Sequence, residues 1–232
     1  MRILHLSDIH LRWFSRAEKN LINVCRGLTP DLTVITGDLY HNTSNTQEFI
    51  DLVGQCSGNS KTIVIWGNLE RWERRDLKTL RQDFEKVGWY VLENETIAMN
   101  IDGVPPFYIS GTDDPHFRFA NLDLILETLP IEGLKILLSH SPDILEGLPK
   151  GIFDLILTGH THGGQVRFPG LPPLLAPTRF HKRPISGWFQ FGETKVFISR
   201  GIGTALLPLR LFCPPEAALI KIVPPSFKKK AL

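Results

Sequence analysis

Seven side chains that commonly bind metal ions follow short apolar segments of this 232-residue chain. Each segment has the composition of a buried strand, and after a single serine or glycine it is followed by one or two residues with a carboxylate, amide or imidazole group. The seven residues are Asp8, His10, Asp38, Asn68, His140, His160 and His162. This mixture of oxygen and imidazole donors suits Mn, Fe, Zn or Mg and does not suit metals that prefer thiolates. Seven ligands exceed the needs of one tetrahedral ion, but they match two ions that share a bridging carboxylate.

The apolar segments also predict how these side chains come together. They cover residues 1–6, 32–36, 62–66, 135–138 and 153–158. Apolar residues at helical spacing after each of the first three segments predict helices over 16–27, 45–53 and 70–87. The first half of the chain therefore predicts three strand–helix units and a parallel sheet. The carboxyl ends of such strands open onto one crevice, so ligands far apart in sequence can meet there.

The second half of the chain has shorter apolar segments. Residues 89–92, 96–101 and 107–110 predict a meander of short strands, followed by a helix over 119–129. Strands are predicted again over 195–199 and 217–223. No internal repeat, low-complexity segment or linker interrupts the chain, so we predict one domain over residues 1–223. Residues 224–232 include Lys228 to Lys230 and are predicted to form a disordered basic tail.

The order of the metal-binding motifs resembles that of the calcineurin-like metallophosphoesterases. The motifs are Asp-x-His at 8–10, Gly-Asp at 37–38, Gly-Asn at 67–68, the single His140, and Gly-His-x-His at 159–162. Residues 159–165 and 199–204 further resemble a branch of phosphodiesterases that includes membrane-associated members. The resemblance implies an α/β fold, a four-layer αββα sandwich of two mixed sheets flanked by helices.

The same resemblance implies a role for each ligand. Asp8, His10 and His162 would bind one divalent ion, and Asn68, His140 and His160 would bind a second. Asp38 would bridge the two ions, with Mn favoured and Fe, Zn or Mg as alternatives. Such a pair clamps a phosphoryl group and activates a water as the nucleophile. The implied protein is a hydrolase of phosphodiester or pyrophosphate bonds in a phosphorylated small molecule, such as a nucleotide, or in a lipid-linked substrate, with Asp38, Asn68 and His140 in its catalytic centre.

One position departs from the family pattern. The third motif of the family usually reads Gly-Asn-His followed by an acid, but here Leu69 stands in place of the histidine. Leucine can neither donate a proton nor stabilise charge, so either the enzyme is impaired or its leaving group needs no acid. A pyrophosphate bond fits the second case, and pyrophosphatases of this superfamily that cleave UDP-2,3-diacylglucosamine also lack that histidine. A phosphomonoesterase or phosphoprotein phosphatase, and a metal-binding scaffold with little turnover, are the alternatives.

Several polar residues near these motifs have two interpretations. Arg71, together with Arg74 and Arg75, could contact a substrate phosphate, because a guanidinium group binds phosphate oxygens in a bidentate manner. The same arginines could equally form a solvated helix face paired with acidic neighbours, namely Glu70, Glu73 and Asp76. Four further residues are predicted to pack near the ligands or to orient them by hydrogen bonds: His5, His41, Thr161 and Gln165.

Composition limits the environment and the partners. A formal net charge of +2, without a basic stripe rich in aromatic residues, disfavours nucleic acid as a partner. Three widely spaced cysteines predict no disulfide, and neither a signal peptide nor a transmembrane segment is recognisable. We therefore expect a cytoplasmic protein, with peripheral contact to the inner face of the membrane as an option for the apolar segment 202–212.

The basic cluster at 179–183 follows a proline-rich loop that could be a substrate wall or a packed loop. The sequence carries no signal for the oligomeric state.

Overall fold

The computed structural model describes residues 1–12, 16–171, 173, 177–179 and 184–223. Within them, eleven strands form two sheets, and five α-helices and two short 3₁₀ helices connect or cover these sheets. None of the helices in these ranges is long and apolar enough to cross a membrane. The predicted basic tail lies outside the described residues.

The first sheet contains the strand–helix units expected from the first half of the chain. Its strands are β1 (Arg2–Leu6), β2 (Leu32–Thr36), β3 (Lys61–Ile65), β4 (Tyr90–Leu92) and β11 (Ala218–Lys221), in the order β11-β1-β2-β3-β4. Strands β1 to β4 run parallel, whereas β11 pairs antiparallel with β1 at the edge. The intervening helices are α1 (Arg16–Cys25), α2 (Thr46–Ser57), α3 (Asn68–Trp72) and α4 (Leu77–Lys86). The predicted parallel sheet is thus confirmed, with one antiparallel strand added from the C-terminal part of the chain.

The second sheet is also mixed. Its strands are β5 (Glu95–Ile101), β6 (Val104–Gly111), β7 (Leu134–Leu138), β8 (Leu155–Thr158), β9 (Gly187–Phe191) and β10 (Thr194–Ile198), in the order β5-β6-β7-β8-β10-β9. The four central strands are parallel, and β5 and β9 pair antiparallel at the two edges. Helix α5 (Leu122–Thr128) and 3₁₀ helices at Pro142–Glu146 and His162–Gly164 complete the elements.

Three apolar cores separate four layers. Successive side chains of a strand point to opposite faces, so Ile3 of β1 enters the core between the two sheets while Leu4 enters the core beneath the helices of the first sheet. In the third core, Ile125 of α5 packs with residues of the second sheet such as Ile156. The αββα arrangement implied by the family resemblance is therefore confirmed.

Several sequence-based boundaries were wrong. The predicted helix over 70–87 is two helices, because Arg74 adopts a φ of 51° and the Asp76 side chain caps the second helix through Thr79 N. The predicted meander was also wrong, since β4 belongs to the first sheet and only β5 and β6 form an antiparallel pair. Strand β9 was not predicted. Smaller differences concern helix ends, since α2 extends to Ser57 and α5 begins only after the capping residue Asn121.

Candidate metal centre

The seven candidate ligands meet where the carboxyl ends of both sheets approach each other. Asp8 and His10 follow β1, Asp38 follows β2, and Asn68 follows β3. The second sheet supplies the remaining three side chains after β7 and β8: His140, His160 and His162. The two sets are joined directly, because the backbone N–H of His160 donates to both carboxylate oxygens of Asp8 at 3.0 Å.

The first group of donor atoms is contributed by Asp8, His10, Asp38 and His162, all of them buried. His10 Nε2 lies 3.2 Å from His162 Nε2 and 3.2 Å from Asp38 Oδ2. His162 Nε2 lies 3.4 Å from Asp8 Oδ1. Four donor atoms therefore surround a common point, and one atom of each residue lies within 4.8 Å of the others.

The second group contains Asp38, His140 and His160, with Asn68 beside them. His140 Nε2 lies 3.4 Å from Asp38 Oδ1, 3.1 Å from His160 Nδ1 and 2.9 Å from Asn68 Oδ1. Asp38 therefore faces both groups, with Oδ2 toward the first and Oδ1 toward the second. A carboxylate in this position is able to bridge two cations.

The charges of the clustered side chains favour the binding of a cation. Burial by itself would raise the pKa of Asp38, but His140 and His10 outweigh burial and hold that pKa below its usual value. Burial opposes protonation of His140, yet the charges of Asp38 and Asp8 raise its pKa to about 9. Burial lowers the pKa of His160 to about 3 and that of His162 to about 4. The neutral imidazoles of His160 and His162 and the charged carboxylates are donors that a divalent cation requires, and a bound cation would displace the proton of His140, so the residues fit a metal centre.

Five of the seven candidate ligands have left-handed backbone conformations. The φ angles are 50° for Asp8, 47° for His10, 52° for Asp38, 69° for His160 and 50° for His162. Such angles are uncommon for residues other than glycine and often mark functional sites. Each of these ligands turns sharply out of a strand end, which directs its side chain into the crevice.

The glycines before the ligands leave room for them. Gly37 has a φ of 83°, and a Cβ there would lie 2.7 Å from His140 Nδ1. At Gly159 a Cβ would overlap Ser7 Oγ and Asp8 Oδ2, and at Gly67 it would overlap Asp38 Oδ1. Gly37 has the unusual angle, whereas Gly67 is extended, and the crowding falls on the ligand side chains.

Glu70 holds the loops after β2 and β3 together. Its buried carboxylate accepts hydrogen bonds from the backbone N–H groups of Leu39 at 2.8 Å, Gly67 at 2.8 Å and Asp38 at 3.3 Å. The backbone N–H of Leu69 in turn donates to Asp38 Oδ1 at 2.8 Å. The predicted pairing of Glu70 with neighbouring arginines was therefore wrong, and its carboxylate positions the loop of Asp38 instead.

Two histidines outside the ligand set support ligands, as predicted. His5 Nε2 donates to Thr36 Oγ1 at 2.8 Å, Thr36 Oγ1 donates to Ser7 Oγ at 2.7 Å, and Ser7 Oγ donates to Asp8 Oδ2 at 2.6 Å. The direction of the first bond follows from the other two. The single hydroxyl hydrogen of Thr36 is used in the bond to Ser7, so Thr36 Oγ1 can only accept from His5 Nε2.

His41 supports the first group of donors. Its Nε2 lies 3.3 Å from His10 Nδ1, and its Nδ1 lies 2.8 Å from Glu73 Oε1. Such contacts fix the orientation of a ligating imidazole.

Other predicted roles have different outcomes. Arg71 forms ion pairs with Asp113 and with Glu93, and its guanidinium carbon lies 4.4 Å from the centroid of the Phe119 ring. The positive charge of Arg71 is thus paired with two carboxylates. A contact of Arg71 with a substrate phosphate stays a prediction. Arg75 does pair with Glu73, at 3.0 Å.

Thr161 and Gln165 bind loop backbone rather than ligands. The Thr161 hydroxyl donates to Ile185 O at 2.6 Å. The Gln165 amide donates to Ala205 O at 3.0 Å and to Leu207 O at 2.8 Å. Of the basic cluster at 179–183, only Arg179 lies within the described residues.

His116 was missed by the sequence analysis. Its ring centroid lies 4.6 Å from that of His160, and its Nδ1 lies 3.7 Å from the buried carboxylate of Asp143. Arg179 approaches the same carboxylate, with Nε at 3.5 Å from Oδ2. His116 lies five residues beyond the end of β6, in a loop rather than directly after the strand, so its position beside the second group of donors depends on the path of that loop.

A groove among the described residues lies away from the candidate ligands. It has a volume of about 1020 Å³ and is lined by residues of β9, β10 and β11, such as Trp188, Phe197 and Leu219. No candidate ligand contributes to it. We therefore identify the functional site by its converging donor atoms and by their perturbed pKa values rather than by cavity size.

Comparisons with known proteins place these features in a wider context. The family model described as calcineurin-like phosphoesterase matches residues 1–164. The phosphodiesterase YaeI of Escherichia coli strain K12 is 30% identical over 237 residues, which cover 96% of this chain and 82% of YaeI. YpbG of Bacillus subtilis strain 168 is 30% identical over 235 residues, which cover 97% of this chain and 82% of YpbG. Among solved structures, TT1561 of Thermus thermophilus matches with a TM-score of 0.54 at 13% identity, covering 87% of this chain and 89% of that one. This last similarity concerns the fold alone.

Proposed function

Since the chain belongs to the calcineurin-like phosphoesterase family, we propose that it is a hydrolase of phosphodiester or pyrophosphate bonds that works with two divalent metal ions. The observation that carries this proposal is the position of Asp38, whose two carboxylate oxygens face two groups of buried donors. Asp8, His10 and His162 would hold one ion, and Asn68, His140 and His160 would hold the other. Mn is the favoured metal, with Fe, Zn or Mg as alternatives.

Bound metal ions would supply Lewis-acid polarisation of a phosphoryl group and activation of an attacking water. The chain supports this chemistry through charge. Asp8 and Asp38 carry the only negative charges among the seven ligands, and the lowered pKa values keep His160 and His162 neutral. Two divalent ions therefore leave an excess of positive charge, which suits an anionic phosphodiester or pyrophosphate.

Leu69 bears on the choice of substrate. It is buried beside Asp38, and it places an apolar side chain where most family members carry a histidine. Without a proton donor at this position, the reaction favours a leaving group of low pKa, such as the phosphate released from a pyrophosphate. A nucleotide or lipid-linked pyrophosphate such as UDP-2,3-diacylglucosamine meets this condition, and a phosphomonoester of an ordinary alcohol does not. YaeI, which is similar to this chain, is named a phosphodiesterase.

The test is hydrolysis by the purified, Mn-loaded protein. UDP-2,3-diacylglucosamine, bis-p-nitrophenyl phosphate and p-nitrophenyl phosphate are compared at equal concentration, with Asp38→Asn as the blank and Asp123→Asn, on the exposed face of α5, as the matched control. We expect the pyrophosphate or the diester to be cleaved at least about 100-fold faster than by the blank, and the monoester to be the slowest substrate. Faster cleavage of the monoester would contradict the argument from Leu69. Absence of cleavage, with two metal ions bound per chain, would contradict the assignment as a hydrolase of these bonds.

A further inference from the structure

Three exposed aromatic side chains lie beside the second group of donors. We call Trp72, Phe117 and Phe119 the aromatic platform, and they are 74%, 40% and 46% exposed, respectively. A single exposed aromatic residue needs no explanation, but a group of them at the edge of a functional site indicates a binding surface.

Helix α3 turns one part of the platform toward the donors. Positions three and four apart share a face of a helix, so Asn68, Arg71 and Trp72 lie on the same side of α3. Asn68 Oδ1 lies 2.9 Å from His140 Nε2, so this is the side of α3 that is turned to the metal centre. Trp72 therefore extends the wall of the crevice outward from the donors.

The loop after β6 supplies the other two rings. The ring centroid of His116 lies 4.6 Å from that of His160 and 5.2 Å from that of Phe117. The ring of Phe119 lies against α3, with its centroid 4.4 Å from the guanidinium carbon of Arg71. Phe117 is thus separated from a candidate ligand by one imidazole ring, and Phe119 joins the loop to the helix that carries Trp72.

This loop is held in place by hydrogen bonds. The carboxylate of Asp114 accepts from the backbone N–H groups of His116 and Phe117, both at 3.0 Å. Arg179 Nη2 donates to the backbone carbonyls of the two residues before Phe117, at 2.9 and 3.2 Å. Arg118 has a φ of 63°, so the chain turns sharply between the two phenylalanines. A ligand that contacts these rings therefore does not have to order the loop first.

The side chains of the platform have the chemistry that binds a nucleobase. Aromatic rings stack on the flat face of any base, and a guanidinium group beside them adds a cation–π contribution. A phosphate held at the donors would leave its nucleoside to extend along this wall. We propose that the aromatic platform binds the base of a nucleotide whose phosphate lies at the metal centre. The inference rests on the proposed function, and it narrows the substrate class to phosphodiesters or pyrophosphates of nucleosides.

The experiment is calorimetric binding to the Mn-loaded full chain. Uridine and adenosine 5′-monophosphates are compared with ribose 5-phosphate, which has the phosphate and the sugar but no base. The platform variant carries Trp72→Leu and Phe117→Leu, which keep apolar side chains and remove the flat rings. The matched control carries Trp188→Leu and Tyr90→Leu, at positions on β9 and β4 that are 52% and 40% exposed. Thermal unfolding establishes that all proteins are folded.

We expect both nucleotides to bind the unmodified protein at least about tenfold more tightly than ribose 5-phosphate, because only they can stack. In the platform variant this difference should fall to about threefold or less, while the control variant should keep it. Leucine would still accept an acyl chain, so the loss is specific for a planar ligand. Equal binding of nucleotides and ribose 5-phosphate to the unmodified protein, or a platform variant that binds nucleotides like the control, would overturn the inference.

The phosphate group of the same ligands tests the proposed function separately. Ribose 5-phosphate should bind the Mn-loaded protein and should lose this binding in Asp38→Asn. If it does so and the base adds nothing, the platform inference fails while the proposed function stands. If no ligand binds with two Mn ions in place, both fail. Nucleotide binding that persists undiminished in Asp38→Asn would place the base away from the metal centre and would also overturn the inference.

Discussion

Replacement of Glu70 tests whether the loops after β2 and β3 depend on a single buried carboxylate. Its two oxygens accept hydrogen bonds from the backbone N–H groups of Asp38, Leu39 and Gly67. A glutamine has the same shape but only one accepting oxygen. Its NH₂ group would take the place of the other carboxylate oxygen and would face a backbone N–H, which is also a donor. If the carbonyl keeps the bonds to Asp38 and Gly67, the N–H of Leu39 loses its acceptor. A buried donor without a partner costs about 1–3 kcal/mol.

Glu70→Ala removes every acceptor at once. Three buried N–H groups then lack partners, and the free energy of unfolding should fall by about 3 kcal/mol or more. For a chain of this length each kcal/mol shifts the melting temperature by about 2–4 °C. We therefore expect Glu70→Gln to melt about 2–12 °C lower than the unmodified protein and Glu70→Ala to melt lower still. The loop that carries Asp38 loses support in both variants, through the Leu39 N–H in Glu70→Gln and through all three N–H groups in Glu70→Ala, so both should also bind metal more weakly, by about 10–100-fold.

The assay is thermal unfolding at about pH 8, since burial and the charge of Asp38 raise the pKa of Glu70. Bound Mn is measured in the same samples after dialysis. Glu127→Gln, on the exposed face of α5, is the matched control and should change neither value. A Glu70→Gln protein with the melting temperature and metal content of the control would show that this carboxylate does not hold the site together.

Three further results are expected. Gly159→Ala should destabilise the protein strongly, because a Cβ would overlap Ser7 and Asp8, whereas Gly54→Ala in α2 has open space and should stabilise it by about 0.5–1 kcal/mol; urea unfolding measures both. The second result concerns pH: burial lowers the pKa of His5 to about 4, so the unfolded chain takes up a proton below pH 6.5 while the folded one does not, and stability falls as the pH falls. Between about pH 7 and 5 this amounts to about 2 kcal/mol, which should be absent from His5→Gln when both are unfolded with urea in a chelator. Third, removal of metal by a chelator should lower the melting temperature of the unmodified protein by about 10 °C and should leave that of Asp38→Asn nearly unchanged.

Each of these three predictions has an outcome that would contradict it. A Gly159→Ala protein as stable as the unmodified one would mean that the loops of Ser7 and Gly159 are not in close contact. An equal loss of stability on acidification in His5→Gln would assign the effect to other groups. A chelator effect of the same size in Asp38→Asn would show that the stabilising metal binds outside the candidate centre.

The positions of the ligands on strand ends could be predicted because they depend on local patterns. Apolar runs followed by Asp8, Asp38, Asn68, His140 and His160 required only the alternation of strands and crossovers, and the structure brings these residues together. The break of the helix after Trp72 was not predicted, since no proline or glycine marks it. It depends on the left-handed Arg74 and on the cap at Asp76.

Contacts between segments distant in sequence could not be predicted in this way. The sequence neighbours of Glu70 suggested ion pairs along a helix, but the chain folds so that its carboxylate meets the loop after β2. His116 lies in a loop without any periodic pattern, and only the packing of that loop brings its ring next to His160. Strand β4 likewise joined the first sheet because of its pairing with β3, which its own residues do not encode. Such features depend on residues distant in sequence.

The hydrogen bonds around the ligands argue that the protein shapes the metal centre before a metal binds. Left-handed angles cost about 1–3 kcal/mol for each residue and persist only when the surroundings impose them. The surroundings are visible here: the carboxylate of Asp8 accepts bonds from Ser7 and from the backbone of His160, and that of Asp38 accepts one from Leu69 N. The backbone N–H of Asp8 donates to Gly37 O and that of His10 donates to Asp38 O. Folding therefore supplies the free energy that orients the ligands. A metal ion that binds has only to replace the water and protons of a site that is already formed.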